Sequence, residues 1–128
     1  MGASVNARLA RVGILAAIAL LIDIPWLYLN KGWSSDLIRG IQGSAVSLRV
    51  LPALVVYVAI GYLISTASSI GGAAAIGVAT YAVYDFTNYA TLKKYDPFFV
   101  VVDTLWGGLL FGLTYAAAQR IRPFLRLG

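Results

Sequence analysis

Three aspartates stand inside long apolar stretches of the sequence, where an ionisable side chain is costly. They are Asp23 in "LIDIPW", Asp85 in "VYDFTNY" and Asp103 in "VVDTLW". A charged side chain at the centre of a membrane helix costs about 2.5–3.5 kcal/mol on insertion scales, so such residues face protein or water rather than lipid. Carboxylates in that setting support cation binding, proton transfer or hydrogen bonding to a polar ligand.

Composition limits the chemistry in which these carboxylates can take part. The chain has 128 residues, of which 60% are hydrophobic, and it contains neither cysteine nor histidine. Disulfides, zinc centres and histidine-ligated haem are therefore excluded, and so is the commonest general base of enzymes. The lysines lie between the apolar stretches, which excludes a retinal Schiff base inside a membrane. We lean against an enzyme and expect none of these cofactors, although a hard cation would suit the aspartates.

The apolar stretches predict the fold class. A soluble domain of this length could not bury so much apolar surface, because small domains have little interior. A membrane helix needs about 20 apolar residues, and helices satisfy their own backbone hydrogen bonds in lipid. We predict an all-α integral membrane protein of four transmembrane helices in an antiparallel bundle, with residues 1–128 forming a single transmembrane domain. The predicted helices cover about 12–29, 48–66, 70–92 and 97–118.

The first apolar stretch resembles a signal peptide only in part. Two arginines precede it, but Asp23 and Pro25 follow where a cleavage site would need small residues. We therefore expect this helix to be retained in the mature protein.

The segment between the first two helices allows two interpretations. Ser35 or Asp36 could cap a short helix that lies in the membrane interface, or the segment could be an irregular polar loop. The helical interpretation places apolar side chains on one face and polar ones opposite. The apolar face would consist of Leu37, Ile38, Ile41 and Ala45. Trp33 suits the aromatic belt of a membrane under either interpretation.

The basic residues lie between or outside the apolar stretches, which is typical of membrane flanks. No soluble helix carries a basic face, so we expect membrane lipids as partners and no nucleic acid. Five basic residues fall on the side of the chain termini and five on the side of the first and third loops, so a count of charges does not orient the protein. We expect a multi-pass protein with cytoplasmic termini, because Arg8 and Arg11 flank the first helix.

The three aspartates are predicted to share one layer of the bundle. Asp23 lies six residues before the end of its helix, Asp85 lies seven before its end, and Asp103 lies six after Pro97. At 1.5 Å per residue, each would sit roughly 10 Å beneath the same surface. Other polar and aromatic residues share their helical faces. Together with a nearby arginine, they make the candidate binding residues Asp23, Asp85, Asn88, Asp103, Tyr81, Trp26, Trp106 and Arg49.

Three arrangements could neutralise this layer. The acids could be protonated, they could pair with Arg49 at the start of the second helix, or they could bind a cation. A simpler alternative is that the buried polar groups only lock the helices together by hydrogen bonds. The sequence leaves all of these open.

Small residues predict close helix packing on the last helix. Gly108 and Gly112 form a Gly-xxx-Gly motif, which lets a neighbouring helix approach closely. We favour packing inside the bundle over a dimer interface, while a homo-oligomer or a larger membrane complex remains an alternative.

Two blocks of the sequence resemble a known family. "YDFTNYATLK" and the following "DTLWG" are similar to the pattern "YDLTNLATLKGW" followed by D-x-x-W-G, and a further D-x-x-W occurs at Asp23 and Trp26. That pattern is typical of small bacterial and viral predicted membrane proteins of unknown function. The chain departs from it at Lys94-Tyr95, where Gly-Trp is usual, and at Phe86, where leucine is common. The resemblance implies a fold and a site but no reaction.

Three classes of function follow from these observations. The first is a membrane protein that binds a polar solute, a lipid headgroup or a cation at the intramembrane Asp/Asn site. The second is a cation or proton transporter, or a channel subunit, that acts as an oligomer. The third is an accessory or structural subunit of a larger membrane assembly. We favour binding over transport, and we place catalysis last.

Overall fold

The protein is all-helical in a computed structural model that describes residues 4–42 and 49–125. Four α-helices occupy these residues. They are α1 (Val5–Gln42), α2 (Val50–Ser65), α3 (Ile70–Thr91) and α4 (Pro97–Leu125). The all-α prediction is therefore confirmed, and α1 and α4 are longer than the sequence predicted.

Local signals account for the starts of α3 and α4. The Ser69 hydroxyl accepts a hydrogen bond from the Gly72 backbone N–H at 2.9 Å, which satisfies one free donor of the first turn of α3. The Asp96 carboxylate does the same for Phe98 at 2.9 Å. Pro97 follows at the first helical position, where its missing N–H costs nothing.

Helix α1 continues past Leu29, where the sequence predicted the end of the first helix. Pro25 lies inside the helix, and the helical backbone runs on to Gln42. Of the two interpretations of the segment between the first two helices, neither the short separate helix nor the irregular loop holds for residues 30–42, because these residues continue α1. The predicted apolar face of that segment lies outside the described side chains. It consists of Leu37, Ile38, Ile41 and Ala45.

The helices pack as two antiparallel pairs. In the first pair, Gly61 of α2 lies against Val12 and Ala16 of α1, while the earlier residue Tyr57 reaches the later residue Asp23. The second pair joins α3 and α4 in the same antiparallel sense. Helices α1 and α4 connect the two pairs, whereas α2 and α3 barely touch each other. A gap therefore remains between α2 and α3.

Two apolar clusters lie at opposite ends of the bundle. The larger one is near the chain termini and is built around Leu15, Ile64 and Phe111, with contributions from all four helices. The smaller one consists of Tyr95, Phe99 and Val100, with Trp33 packed against it. The predicted polar layer lies between these two clusters.

Glycines set the closest contact of α3 with α4. A Cβ atom added to Gly77 would lie 2.2 Å from the Gly107 carbonyl oxygen, and one added to Gly107 would lie 2.3 Å from the Tyr81 ring. Gly108 also faces α3, at 2.5 Å from Val78, but Gly112 makes only an ordinary contact at 3.5 Å. The Gly108–Gly112 motif thus packs inside the bundle. The closest approach of α4 to α3 is at Gly107, one residue before the motif.

Two of the described helical segments are long and apolar enough to cross a membrane. They are Val5–Trp33 and Pro97–Pro123. Only 22% of the apolar 18-residue stretch within the first segment is buried, so most of its apolar surface faces outward. Leu21 and Leu29 are examples, and α2 is apolar but shorter. Such a surface is typical of a helix in contact with lipid.

Candidate functional site

Asp23 is held firmly by donors from two other helices. The Tyr57 hydroxyl of α2 donates to Oδ2 at 2.5 Å, and the Trp106 indole N–H of α4 donates to Oδ1 at 2.8 Å. The side chain is only 4% exposed. Because both oxygens are satisfied, this carboxylate joins three helices at the level of the polar layer.

The two D-x-x-W motifs pair reciprocally across α1 and α4. The Trp26 and Trp106 rings stack with centroids 4.9 Å apart and planes 10° apart. Trp106 donates to Asp23, and the Trp26 indole lies within hydrogen-bonding reach of Asp103. Each tryptophan indole therefore contacts the aspartate of the other helix, as expected for two identical i, i+3 motifs on antiparallel helices. The sequence showed both motifs but not this exchange.

Asp85 is the most deeply buried acid, with no exposed surface. Its Oδ1 accepts a long hydrogen bond of 3.4 Å from the Tyr95 hydroxyl, which in turn accepts one of 3.5 Å from Asn88. Its Oδ2 has no partner with hydrogen-bond geometry among the described residues. Tyr95 lies in the loop between α3 and α4, where burial raises its pKa to about 12. Its hydroxyl is therefore protonated at neutral pH and can donate.

Asp103 lies next to Asp85 and completes the layer. The two carboxyl groups are within hydrogen-bonding reach of each other, and Thr104 also lies close to Asp85. Asp23 is farther away but still acts electrostatically on Asp103. The structure thus brings together all three aspartates that the sequence placed at one depth. Two carboxyl groups this close can share one proton.

Among the residues that the structure describes, the basic residues nearest the layer in the predicted bundle do not pair with it. Arg49 is exposed at the start of α2, and no ion pair joins it to the three aspartates in the described part of the chain. Lys93 and Lys94 are also exposed. Within residues 4–42 and 49–125, no group of three acidic side chains is arranged to hold a metal ion.

A cleft opens between α2 and α3 and reaches the layer at Asp103. Its volume is about 410 Å³, and its walls are mostly apolar. The lining residues are Val56, Ala59, Ile60 and Leu63 of α2, Thr80, Tyr81 and Tyr84 of α3, and Asp103 of α4. Tyr81 also packs edge-on against Phe111, which fixes one wall of the cleft. Asp103 is the only carboxyl group among these lining residues.

Sequence reasoning missed two residues of the site, Tyr57 and Tyr95. Tyr57 falls on a stripe of small residues along α2, where a large polar side chain indicates a specific contact. Tyr95 occupies the position at which the related pattern has tryptophan, and both side chains can donate a hydrogen bond. The α2–α3 cleft had no signal in the sequence.

Comparison with known proteins gives one family match. The model of a family described as "Predicted membrane protein (DUF2177)", a domain of unknown function, matches residues 9–119. Neither the curated proteins nor the solved structures give a match. The matched segment includes both D-x-x-W motifs and the whole polar layer. The chain therefore belongs to this family of predicted membrane proteins.

Proposed function

We propose that this protein spans the membrane with four helices and binds an apolar molecule in the α2–α3 cleft. The bound molecule carries a hydrogen-bond donor, and the Asp103 carboxyl group accepts this hydrogen bond at the inner end of the cleft. One observation carries the proposal: a cleft of about 410 Å³ has apolar walls and a single, nearly buried carboxyl group. Ligand sites typically combine such walls with a few oriented polar groups.

The position of the cleft supports entry of the ligand from the lipid. Helix α2 contributes Val56 to the wall of the cleft, and this apolar side chain is about half exposed. Helix α3 contributes the ring of Tyr84, which is 62% exposed. A molecule dissolved in the bilayer would therefore meet mostly apolar walls at the entrance, and the carboxyl group of Asp103 at the inner end.

The acceptor at the inner end is held in place before a ligand arrives. Asp103 is close to the Trp26 indole and to the Asp85 carboxyl group, which restrict its orientation. The Thr80 hydroxyl donates its proton to the Ile76 carbonyl at 2.7 Å, so Thr80 offers a ligand no donor, and Asp103 is the charged acceptor of the cleft. A rigid acceptor loses little entropy on binding, so a single hydrogen bond can give useful selectivity.

Photolabelling with a matched series of probes tests this proposal. The probes are dodecylamine, dodecanol and dodecyl methyl ether, each with a diazirine on the chain, added to the full chain in lipid bilayers. Ala59→Trp fills the cleft, whereas Val58→Trp places the same ring one residue away on the lipid-facing side of α2. Labelled peptides are identified by mass spectrometry.

We expect the amine and the alcohol to label α2 and α3 at the cleft more strongly than the ether does. Ala59→Trp should remove this labelling and Val58→Trp should keep it. Asp103→Asn should weaken labelling by the amine about tenfold, which corresponds to ~1.4 kcal/mol. Equal labelling by all three probes, or equal labelling of the two tryptophan variants, would contradict the proposal.

Proton movement is a second candidate function, and a line of polar groups favours it. From the cleft, Asp103 adjoins Asp85, Asp85 accepts from Tyr95, and Tyr95 accepts from Asn88 near the loop surface. Under this function, reconstituted liposomes would pass protons down a pH gradient. Tyr95→Phe should then reduce the flux, whereas Tyr89→Phe on the exposed side of α3 should not. The absence of flux in the native protein would rule this function out.

A further inference from the structure

We propose that a second groove, between the first turns of α1 and the end of α2, binds the phosphate of an anionic phospholipid. The groove has a volume of about 490 Å³. It is lined by Val5, Arg8, Leu9, Arg11 and Val12 of α1 and by Tyr62 and Ser65 of α2. This site is separate from the α2–α3 cleft, because the two share no lining residue and the groove lies on the side of α2 that faces α1.

The positive charge of the groove favours binding of an anion. Arg8 and Arg11 are three residues apart and therefore point to the same side of α1. No acidic residue occurs in the sequence before Asp23, and none occurs in α2. The arginines also stand in the first two turns of α1, where the positive end of the helix dipole makes a further positive charge unfavourable. A bound phosphate would offset all three positive contributions.

The chemistry of the side chains fits a phosphate group. A guanidinium group offers paired N–H donors whose planar spacing matches two phosphate oxygens. Arg11 is half-buried and Arg8 is exposed, so they present one donor group inside the groove and one at its rim. The Tyr62 side chain is 60% exposed and adds a hydroxyl group at the same end of the bundle. Aromatic residues of this kind are common at the level of lipid headgroups.

The apolar part of the lining points to a lipid rather than to free phosphate. Val5 and Leu9 are 71% and 65% exposed, although they flank the arginines. They lie at the start of a segment that is long and apolar enough to cross a membrane. A phospholipid would cover these side chains with its acyl chains while its phosphate contacts the arginines. Basic pockets between membrane helices are known to bind anionic headgroups in this way.

Native mass spectrometry of the full chain tests the proposal. Three probes are compared: dioleoyl-phosphatidylglycerol, dioleoyl-phosphatidylcholine and water-soluble glycerol 3-phosphate. The first variant replaces both arginines, Arg8→Gln with Arg11→Gln. A matched control removes two positive charges from the opposite end of the bundle, Lys93→Gln with Lys94→Gln. A second variant, Ser65→Trp, fills the groove without a change of charge.

We expect the native protein to retain phosphatidylglycerol at least tenfold better than phosphatidylcholine. The double arginine variant and Ser65→Trp should each lose most of this preference, and the lysine control should keep it. Equal retention of the two lipids would overturn the proposal. So would an equal loss in the lysine control, which would indicate general charge attraction. Binding of glycerol 3-phosphate as strong as that of the lipid would instead assign the groove to soluble phosphates and would also overturn it.

Discussion

At the scale of single residues, Asp23 differs from the other two acids in how fully it is held. Both of its oxygens accept short hydrogen bonds from other helices, whereas one oxygen of Asp85 has no such partner among the described residues. We interpret Asp23 as the structural member of the layer. We propose that Asp85 and Asp103 are the members that take part in ligand or proton chemistry.

Loss of the Tyr57 hydroxyl should therefore weaken the fold. Tyr57→Phe removes one of the two donors to a buried carboxylate, and we expect the free energy of unfolding to fall by about 1–2 kcal/mol. Tyr62→Phe is the matched control on the same helix, because its ring is largely exposed. Thermal unfolding in one detergent compares the two. Equal melting temperatures for both variants would show that the contact with Asp23 contributes nothing to stability.

Lys94 adopts a backbone conformation that suits glycine. Its φ angle is 67°, in the left-handed region that costs ordinary residues about 1–2 kcal/mol. The related sequence pattern has glycine at this position, so the structure explains the preference. We expect Lys94→Gly to be neutral or slightly stabilising in thermal unfolding, and Lys94→Val to destabilise by about 1–2 kcal/mol. The control Lys93→Val should have a smaller effect, and a reversed order would refute this explanation.

The sequence predicted the acidic layer because helix depth can be counted along a chain. It could not predict the exchange of tryptophans between Asp23 and Asp103, since a helical pattern identifies a face but not the neighbour against which the face packs. The same limit applies to Arg49, whose length allowed a contact with the layer. The structure leaves it exposed at the start of α2.

At the scale of helices, the crossing of α3 with α4 depends on two glycines that face each other, Gly77 of α3 and Gly107 of α4. Gly107→Ala would place a methyl group against the Tyr81 ring, and we expect a loss of about 1–3 kcal/mol in stability. Gly112→Ala has room for its methyl group and removes a flexible residue from a helix, so it should be neutral or stabilising. Thermal unfolding of both variants checks this. Comparable destabilisation by the two would mean that the crossing is centred elsewhere.

The length of α1 shows how tertiary contacts override local signals. The polar residues after Leu29 indicated a loop or a separate helix, but the helix continues, and its extension is anchored in several places. The Trp33 indole donates to Asp96 at 3.2 Å and packs edge-on against Phe99. Within the helix itself, the Asn30 side chain also donates to the Trp26 carbonyl at 2.8 Å, but this contact is local. Hydropathy alone carries no information about such contacts.

At the scale of the whole molecule, four antiparallel helices predict that both termini lie on one side of the membrane. Helix α3 is not among the two segments that are apolar enough to cross a membrane, because it carries Asp85, Asn88 and several hydroxyl groups. Asp85 is fully buried in the bundle and does not meet lipid. We expect α3 to cross nonetheless, since it packs along α4 over its length. The termini should be cytoplasmic.

Cysteine labelling tests this topology directly, because the chain has no native cysteine. Ser4→Cys and Gln119→Cys should react with a membrane-impermeant maleimide from one side, and Lys93→Cys should react from the other. The native protein, which has no cysteine, is the negative control for labelling. If Ser4→Cys and Gln119→Cys label from opposite sides, the number of spans is odd and the proposed arrangement is wrong.

The central claim is that the α2–α3 cleft holds a ligand against Asp103, and one structure would test it most directly. Crystals grown in a lipid phase from protein extracted with its native membrane would retain a tightly held molecule. We predict elongated density between α2 and α3, with one end within hydrogen-bonding distance of the Asp103 carboxyl group. A structure in which α2 packs directly on α3 and closes the cleft, with no molecule between the two helices, would contradict the account.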